Sequence, residues 1–148
     1  MLTISPNYLD QTSSEHFPDQ WWLELAATIH SVLTRTMASE GEIELFFVSD
    51  TEMMRLNTLH RSISKTTDVL SFPSPAVGVG AHLGDVFVSI NQAKAQAESI
   101  PAGFEKEILD LVTHGILHIF GFDHEDPKDA KIMFPQQDEI TTLIYEKI

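Results

Sequence analysis

His114-Gly115-Ile116-Leu117-His118-Ile119-Phe120-Gly121-Phe122-Asp123-His124 is the stretch on which the reading of this chain turns. Two histidines four residues apart on a helix come back to within roughly 40° of each other, so both rings point from one face. Gly121 suits a left-handed helix stop, which glycine enters without a Cβ penalty. The chain then doubles back and can bring His124 to the same place. Three imidazoles on one ion leave a coordination position open, the arrangement of a catalytic rather than a structural zinc-type site. The alternative is a polar cluster with no ion. It has to satisfy two imidazoles on an apolar helix, at a cost of about a few kcal/mol if they stay unpartnered.

The residues before His114 give this helix its place in the fold. Ile108, Leu109, Leu111, Val112, Ile116, Leu117, Ile119 and Phe120 leave it apolar on nearly all sides, which predicts a central, buried helix. Pro101-Ala102-Gly103 punctuates its start.

Further upstream, Leu2–Ile4 is expected as a short strand ended by Pro6. A helix follows from about Asp19 to Met37, with Trp22, Leu25, Ala26, Ile29 and Leu33 on one face. Glu42–Val48 alternates and then runs apolar, as a strand does on entering a sheet centre. Ser49 or Asp50 caps a second helix ending near His60. Asp68–Phe72 reads as a strand closed by Pro73, residues 73–81 as a loop, and Gly84–Ile90 as a strand. Asn91 is expected to cap a short helix through Ala97, and a last helix covers roughly Ala130–Tyr145. The expected fold class is α+β: a mixed sheet of about four strands packed with about five helices, the central one carrying the HxxxH pair, in a single domain over residues 1–148.

Composition limits what the chain does. A 43% hydrophobic and 21% charged sequence is that of an ordinary globular protein. No run of about twenty apolar residues predicts a membrane span. Residues 1–20 lack the basic and apolar regions of a secretory signal, so a cytoplasmic location is the expectation. With no cysteine, disulfides and thiolate ligands are excluded, and any metal is held by nitrogen and oxygen. Zn²⁺ suits three imidazoles, and Ni²⁺ or another divalent ion is possible on the same ligands. The net charge of −13 repels nucleic acid at long range unless basic groups are gathered locally. Residues 53–67 hold no acid but carry Arg55, Arg61 and Lys65.

The spacing His114, His118, Gly121, His124 resembles the metzincin protease signature HExxHxxGxxH, except that Gly115 stands where the glutamate base belongs. Peptide hydrolysis needs a base to move the proton from water to the leaving amine, and glycine has none. A phosphodiester demands less. A metal ion generates a nucleophile near neutral pH and stabilises charge on the non-bridging oxygens. In RNA the 2′-OH is itself available as nucleophile, and Arg61 and Lys65 are candidate phosphate contacts.

Three blocks, in order, carry a closer resemblance: Arg61 ahead of Thr67-Asp68-Val69-Leu70-Ser71-Phe72-Pro73, then Gly84-Asp85-Val86, then His114 through His124. Together they resemble the YbeY family of ribosomal-RNA maturation endoribonucleases, with Phe122 in place of the commoner tyrosine. The resemblance implies a metal-dependent, single-strand-specific endoribonuclease acting on ribosomal RNA, at the 3′ end of the 16S species, and in ribosome quality control. It implies a zinc-like ion on His114, His118 and His124, and a phosphate contact from Arg61. The expected partners are single-stranded RNA, ribosomal RNA and the small ribosomal subunit, with a basic ribosomal protein suited to the acidic surface. Lys65 and Ser71 are further candidate RNA contacts. Asp123 is a candidate to accept a proton from a ligand's second ring nitrogen. Two alternatives stand beside this reading: a metal-dependent protease or amidase, and a non-enzymatic ribosome-associated factor with a structural metal.

Overall fold

A computed structural model describes residues 1–9, 16–35, 37, 39–62, 65–75, 80–99 and 103–148. The elements along the chain are β1 (Leu2–Tyr8), α1 (Asp19–Leu33), β2 (Gly41–Val48) and α2 (Asp50–Arg61). They continue with β3 (Val69–Pro73), β4 (His82–Ser89), α3 (Ile90–Ala97), α4 (Gly103–Ile119) and α5 (Pro127–Tyr145). The four strands lie in the order β1-β2-β4-β3, with β1, β2 and β4 parallel and β3 antiparallel to β4. This is the mixed four-stranded sheet with five helices that the patterning predicts.

The sheet has unequal faces. Ile43, Leu45, Phe47, Val86 and Val88 join α1, α4 and α5 in the main core, through Trp22, Leu25 and Ile29, Ile108 and Ile116, and Met133 and Ile140. On the other side a smaller cluster of Val48, Met53, Leu56 and Leu70 seats α2. Burying these side chains at about 25 cal/mol per Å² of apolar surface makes the α4 side of the sheet the main source of stability. The helix that carries His114 and His118 is therefore also a central structural one.

The element bounds correct several expectations. Pro6 does not end β1, which runs on to Tyr8. In the ladder Leu9 N–H donates to Phe47 and Met1 C=O accepts from Gly41, so odd-numbered residues of β1 bond to β2. Pro6 thus faces the unpaired margin, where its missing N–H breaks no ladder bond. Helix α1 stops at Leu33 rather than Met37. Arg35 Nε turns back onto the Val32 carbonyl at 3.0 Å, satisfying a C-terminal acceptor. Helix α5 starts at Pro127 rather than Ala130, because Asp126 caps the Lys128 amide at 2.8 Å and proline fits the first helical turn. Ser89, not Asn91, caps α3 by accepting from Gln92 N–H at 3.1 Å. Asn91 instead accepts from the Asp50 amide at 3.0 Å, tying α3 to the start of α2. Strand β4 starts two residues early, at His82, with a register shift that leaves Leu83 unopposed by β2. Pro101, Ala102 and positions 76–79 of the expected loop lie outside the described residues.

Candidate metal centre

Gly115 sets how close α4 comes to the sheet. A Cβ at this position would lie 2.6 Å from Val86 Cγ1 and 3.1 Å from both Ser71 Oγ and Val69 Cγ2. Ser71 Oγ donates to the Gly115 carbonyl at 2.8 Å, pinning β3 to the helix. The Gly115 side of α4 therefore faces strands, and a glutamate there would collide with the sheet instead of reaching the cleft. The missing protease base is a packing requirement of this fold.

His114 and His118 emerge on the cleft side. At the end of α4, Gly121 takes φ +96°. Its N–H bonds to the His118 carbonyl at 3.0 Å, and Phe122 N–H reaches the Leu117 carbonyl at 3.0 Å, the pair of bonds of a Schellman stop. The reversed chain brings His124 back, its ring centroid 4.9 Å from that of His114 and 5.1 Å from that of His118. Nε2 of His118 is 3.1 Å from Nε2 of His114. One nitrogen from each of the three rings lies within 4.8 Å of the others, and no other His or carboxylate group converges in this way among the described residues. A tetrahedral ion with bonds of about 2.0–2.1 Å sets its ligand nitrogens about 3.3 Å apart. The His114–His118 pair stands near that separation already.

The electrostatics suit a cation. Burial holds the His114 imidazole below its ordinary pKa, with an opposing contribution from the Gln137 hydrogen bond. Burial likewise lowers His118, reinforced by the neighbouring His114 and His124. Neutral rings are the form that binds metal. Nδ1 of His114 meets Gln137 Oε1 of α5 at 2.8 Å, which makes that nitrogen the donor and turns Nε2 to the cluster. Gln137 was not singled out in the sequence. A glutamine on an amphipathic helix carries no signal until the fold shows what it faces.

The three imidazoles open into a cleft of about 980 Å³. Arg61, the last residue of α2, lies on its wall, as do Ser71 and Asp123. Lys65 is exposed and absent from that lining, and its carbonyl accepts from Asn57 Nδ2 at 2.9 Å. The Ser71 hydroxyl points its proton at Gly115 rather than into solvent. The Asp123 carboxylate accepts the His124 amide at 2.7 Å and the Glu125 amide at 3.3 Å, and these bonds lower its pKa. It shapes the backbone that presents His124, and the second nitrogen of His114 belongs to Gln137 instead. A second unanticipated residue, Glu107, lines the cleft two turns before His114. On a helix apolar on nearly all sides, an acid carries no signal until the fold shows what it faces.

The profile of the family described as Endoribonuclease YbeY matches residues 7–144. The chain belongs to the YbeY endoribonuclease family. A YbeY endoribonuclease from Halalkalibacterium halodurans is 37% identical over 127 residues, covering 77% of this chain and 80% of that one. A YbeY endoribonuclease from Sulfurihydrogenibium is 42% identical over 112 residues, or 74% of each. A protein from Thermotoga maritima, known from a solution structure, superposes with a TM-score of 0.64 at 26% identity, covering 99% of this chain and 91% of that one. The matched span takes in all three YbeY blocks, from Arg61 to His124.

Proposed function

We propose that this protein is a metal-dependent endoribonuclease that cuts single-stranded RNA, and that its role is maturation of ribosomal RNA at the 3′ end of the 16S species. The observation that carries the reading is the convergence of three imidazoles at the wall of a cleft large enough for a nucleotide. Membership of the YbeY family supports the substrate class.

His114, His118 and His124 are the residues that hold the ion, and an all-nitrogen set of this kind suits Zn²⁺, with Ni²⁺ or a similar ion as a substitute. Such an ion supplies Lewis acidity toward a phosphodiester. The protein's own residues do the rest. Gln137 fixes the tautomer of His114, and the Gly121 turn and Asp123 fix the backbone of His124. Arg61 supplies a guanidinium on the cleft wall, whose paired N–H groups suit phosphate oxygens. The Ser71 hydroxyl keeps acceptor capacity toward substrate while its proton stays on Gly115.

With a net charge of −13, the chain as a whole offers RNA little attraction. We infer delivery to the small ribosomal subunit by a basic ribosomal protein, in the cytoplasm. No helix among the described residues is long and apolar enough to cross a membrane.

The test is cleavage of labelled single-stranded RNA by metal-replete protein, with a duplex control, with and without chelator, and for folded His118→Ala. Cutting confined to the metal-loaded wild type places the chemistry at the imidazoles. No cutting by folded, loaded protein leaves the ion a structural role.

A further inference from the structure

Glu107 is 8% exposed, lines the cleft and has no hydrogen-bond partner among the described residues. Its acidic neighbours differ in this respect. Asp68 accepts from Gln96 Nε2 at 3.2 Å and Thr67 Oγ1 at 3.4 Å. Asp110 accepts from Lys106 Nζ at 2.8 Å and the Tyr145 hydroxyl at 3.2 Å. The residue is largely covered, but its carboxylate oxygens keep contact with the cleft, and burial together with Asp110 and Asp68 raises its pKa. Its two oxygens are left to accept donors from whatever enters the cleft.

The position restricts what that is. Seven residues separate Glu107 from His114, two helical turns, so the side chains share a face about 10 Å apart along the axis. That separation is comparable with the reach from a phosphate to the Watson–Crick edge of its own base. Asp68 and Asp110 beside Glu107 repel a phosphate from this part of the cleft. A base edge is favoured there, and the phosphate belongs with the imidazoles and Arg61.

We propose that Glu107 reads guanine, its two carboxylate oxygens accepting N1–H and N2–H of a single guanine base whose phosphate lies at the three imidazoles. The assignment rests on the endoribonuclease reading above. Among the four bases only guanine presents two adjacent donors on its Watson–Crick edge. Adenine and cytosine set a ring-nitrogen acceptor beside their amino group, and uracil flanks its single N–H with two carbonyls. Each of these turns a lone pair toward the carboxylate. Single-stranded RNA, with its bases unstacked, is the form whose Watson–Crick edges such a site can reach.

The experiment measures binding and cleavage of uridine pentamers carrying one central guanosine, inosine, adenosine or uridine, with zinc-loaded protein. Inosine lacks only the 2-amino group, so it probes the second hydrogen bond without altering the protein. Guanosine is expected to bind about tenfold more tightly than inosine and more tightly still than adenosine or uridine. Glu107→Gln, which keeps the side-chain shape, reduces these ratios to near one, and Glu107→Asp gives intermediate ratios. Equal affinity for all four oligonucleotides in the wild type, or guanosine preference retained in Glu107→Gln, overturns the assignment. Cleavage without base preference counts against Glu107 alone. Guanosine-selective binding without cleavage upholds the assignment and counts against the nuclease reading.

Discussion

Gln137 Oε1 lies 2.8 Å from Nδ1 of His114, a contact between helices α5 and α4 across 23 residues of sequence. It makes α5 part of the candidate metal centre although that helix supplies none of its three imidazoles. Outer partners of this kind are worth about 10–100-fold in metal affinity or activity. Gln137→Ala is therefore expected to weaken zinc binding by about that factor, in competition titrations against a chromophoric chelator. Gln137→Glu, which keeps the acceptor, restores most of it. Equal affinity of Gln137→Ala and wild type would show that the ring is held by other means.

The contact between α4 and the sheet makes a second prediction. Gly115→Ala puts a methyl 2.6 Å from Val86 Cγ1. Overpacking of this kind costs about 1–3 kcal/mol, measurable as a lower urea midpoint with an unchanged slope. Ser71→Ala removes the bond to the Gly115 carbonyl and costs about 0.5–1.5 kcal/mol. A Gly115→Glu change, made to complete the protease signature, yields unfolded protein instead of peptidase activity.

Arg61 and Lys65 are neighbours in sequence, but only Arg61 lines the cleft. Arg61→Ala is expected to lower kcat/KM on single-stranded RNA at least tenfold, as loss of a charge-assisted contact of about 1.5–3 kcal/mol implies. It should also flatten the salt dependence. Lys65→Ala changes kcat/KM by less than about twofold, since an exposed cation away from the substrate contributes little.

Stability of the metal-free protein carries two opposed pH signatures. His114 and His118 have folded pKa values below the ordinary histidine value. The unfolded chain therefore takes up protons first as pH falls. Their contribution is complete above about pH 6.5 and is lost as pH falls through the lower folded values. Glu107 has a folded pKa above 4.5. Its contribution is present below that value and is lost as pH rises through the raised one. Urea midpoints for His114→Gln/His118→Gln are expected to fall less steeply than wild type from pH 7 to 5. Glu107→Gln is expected to be more stable than wild type at pH 7.5. The opposite order at either pH would contradict the burial seen at these groups.

Much of the fold was legible because periodicity reports burial directly. The continuous apolar run of α4 and the end of β2 could hardly be surface elements, and both proved central. The imidazole cluster was legible because its three histidines come from eleven consecutive residues, whose geometry one helix and one glycine turn dictate. What escaped depends on packing between distant segments. Gln137 and Glu107 are unexceptional helix residues whose surroundings come from other elements. Asp123 sat close to the three histidines in sequence, and that proximity suggested a ring partner where the backbone amides were the nearer donors. Pro6 misled because a proline stops a strand only when its N–H is needed by a neighbour.

That proline also bears on how these molecules behave toward one another. β1 is the first strand of the sheet order, so among the described residues one side of it has no neighbouring strand. A second copy, or a partly unfolded chain, docking there in extended form needs a regular row of donors and acceptors to zip against. Pro6 leaves a gap midway along that row, and mutual repulsion between chains of charge −13 keeps the approach unfavourable. Replacing Pro6 with a β-branched residue would regularise the row, leave the imidazoles untouched, and make the protein more prone to fibrillar self-association at high salt.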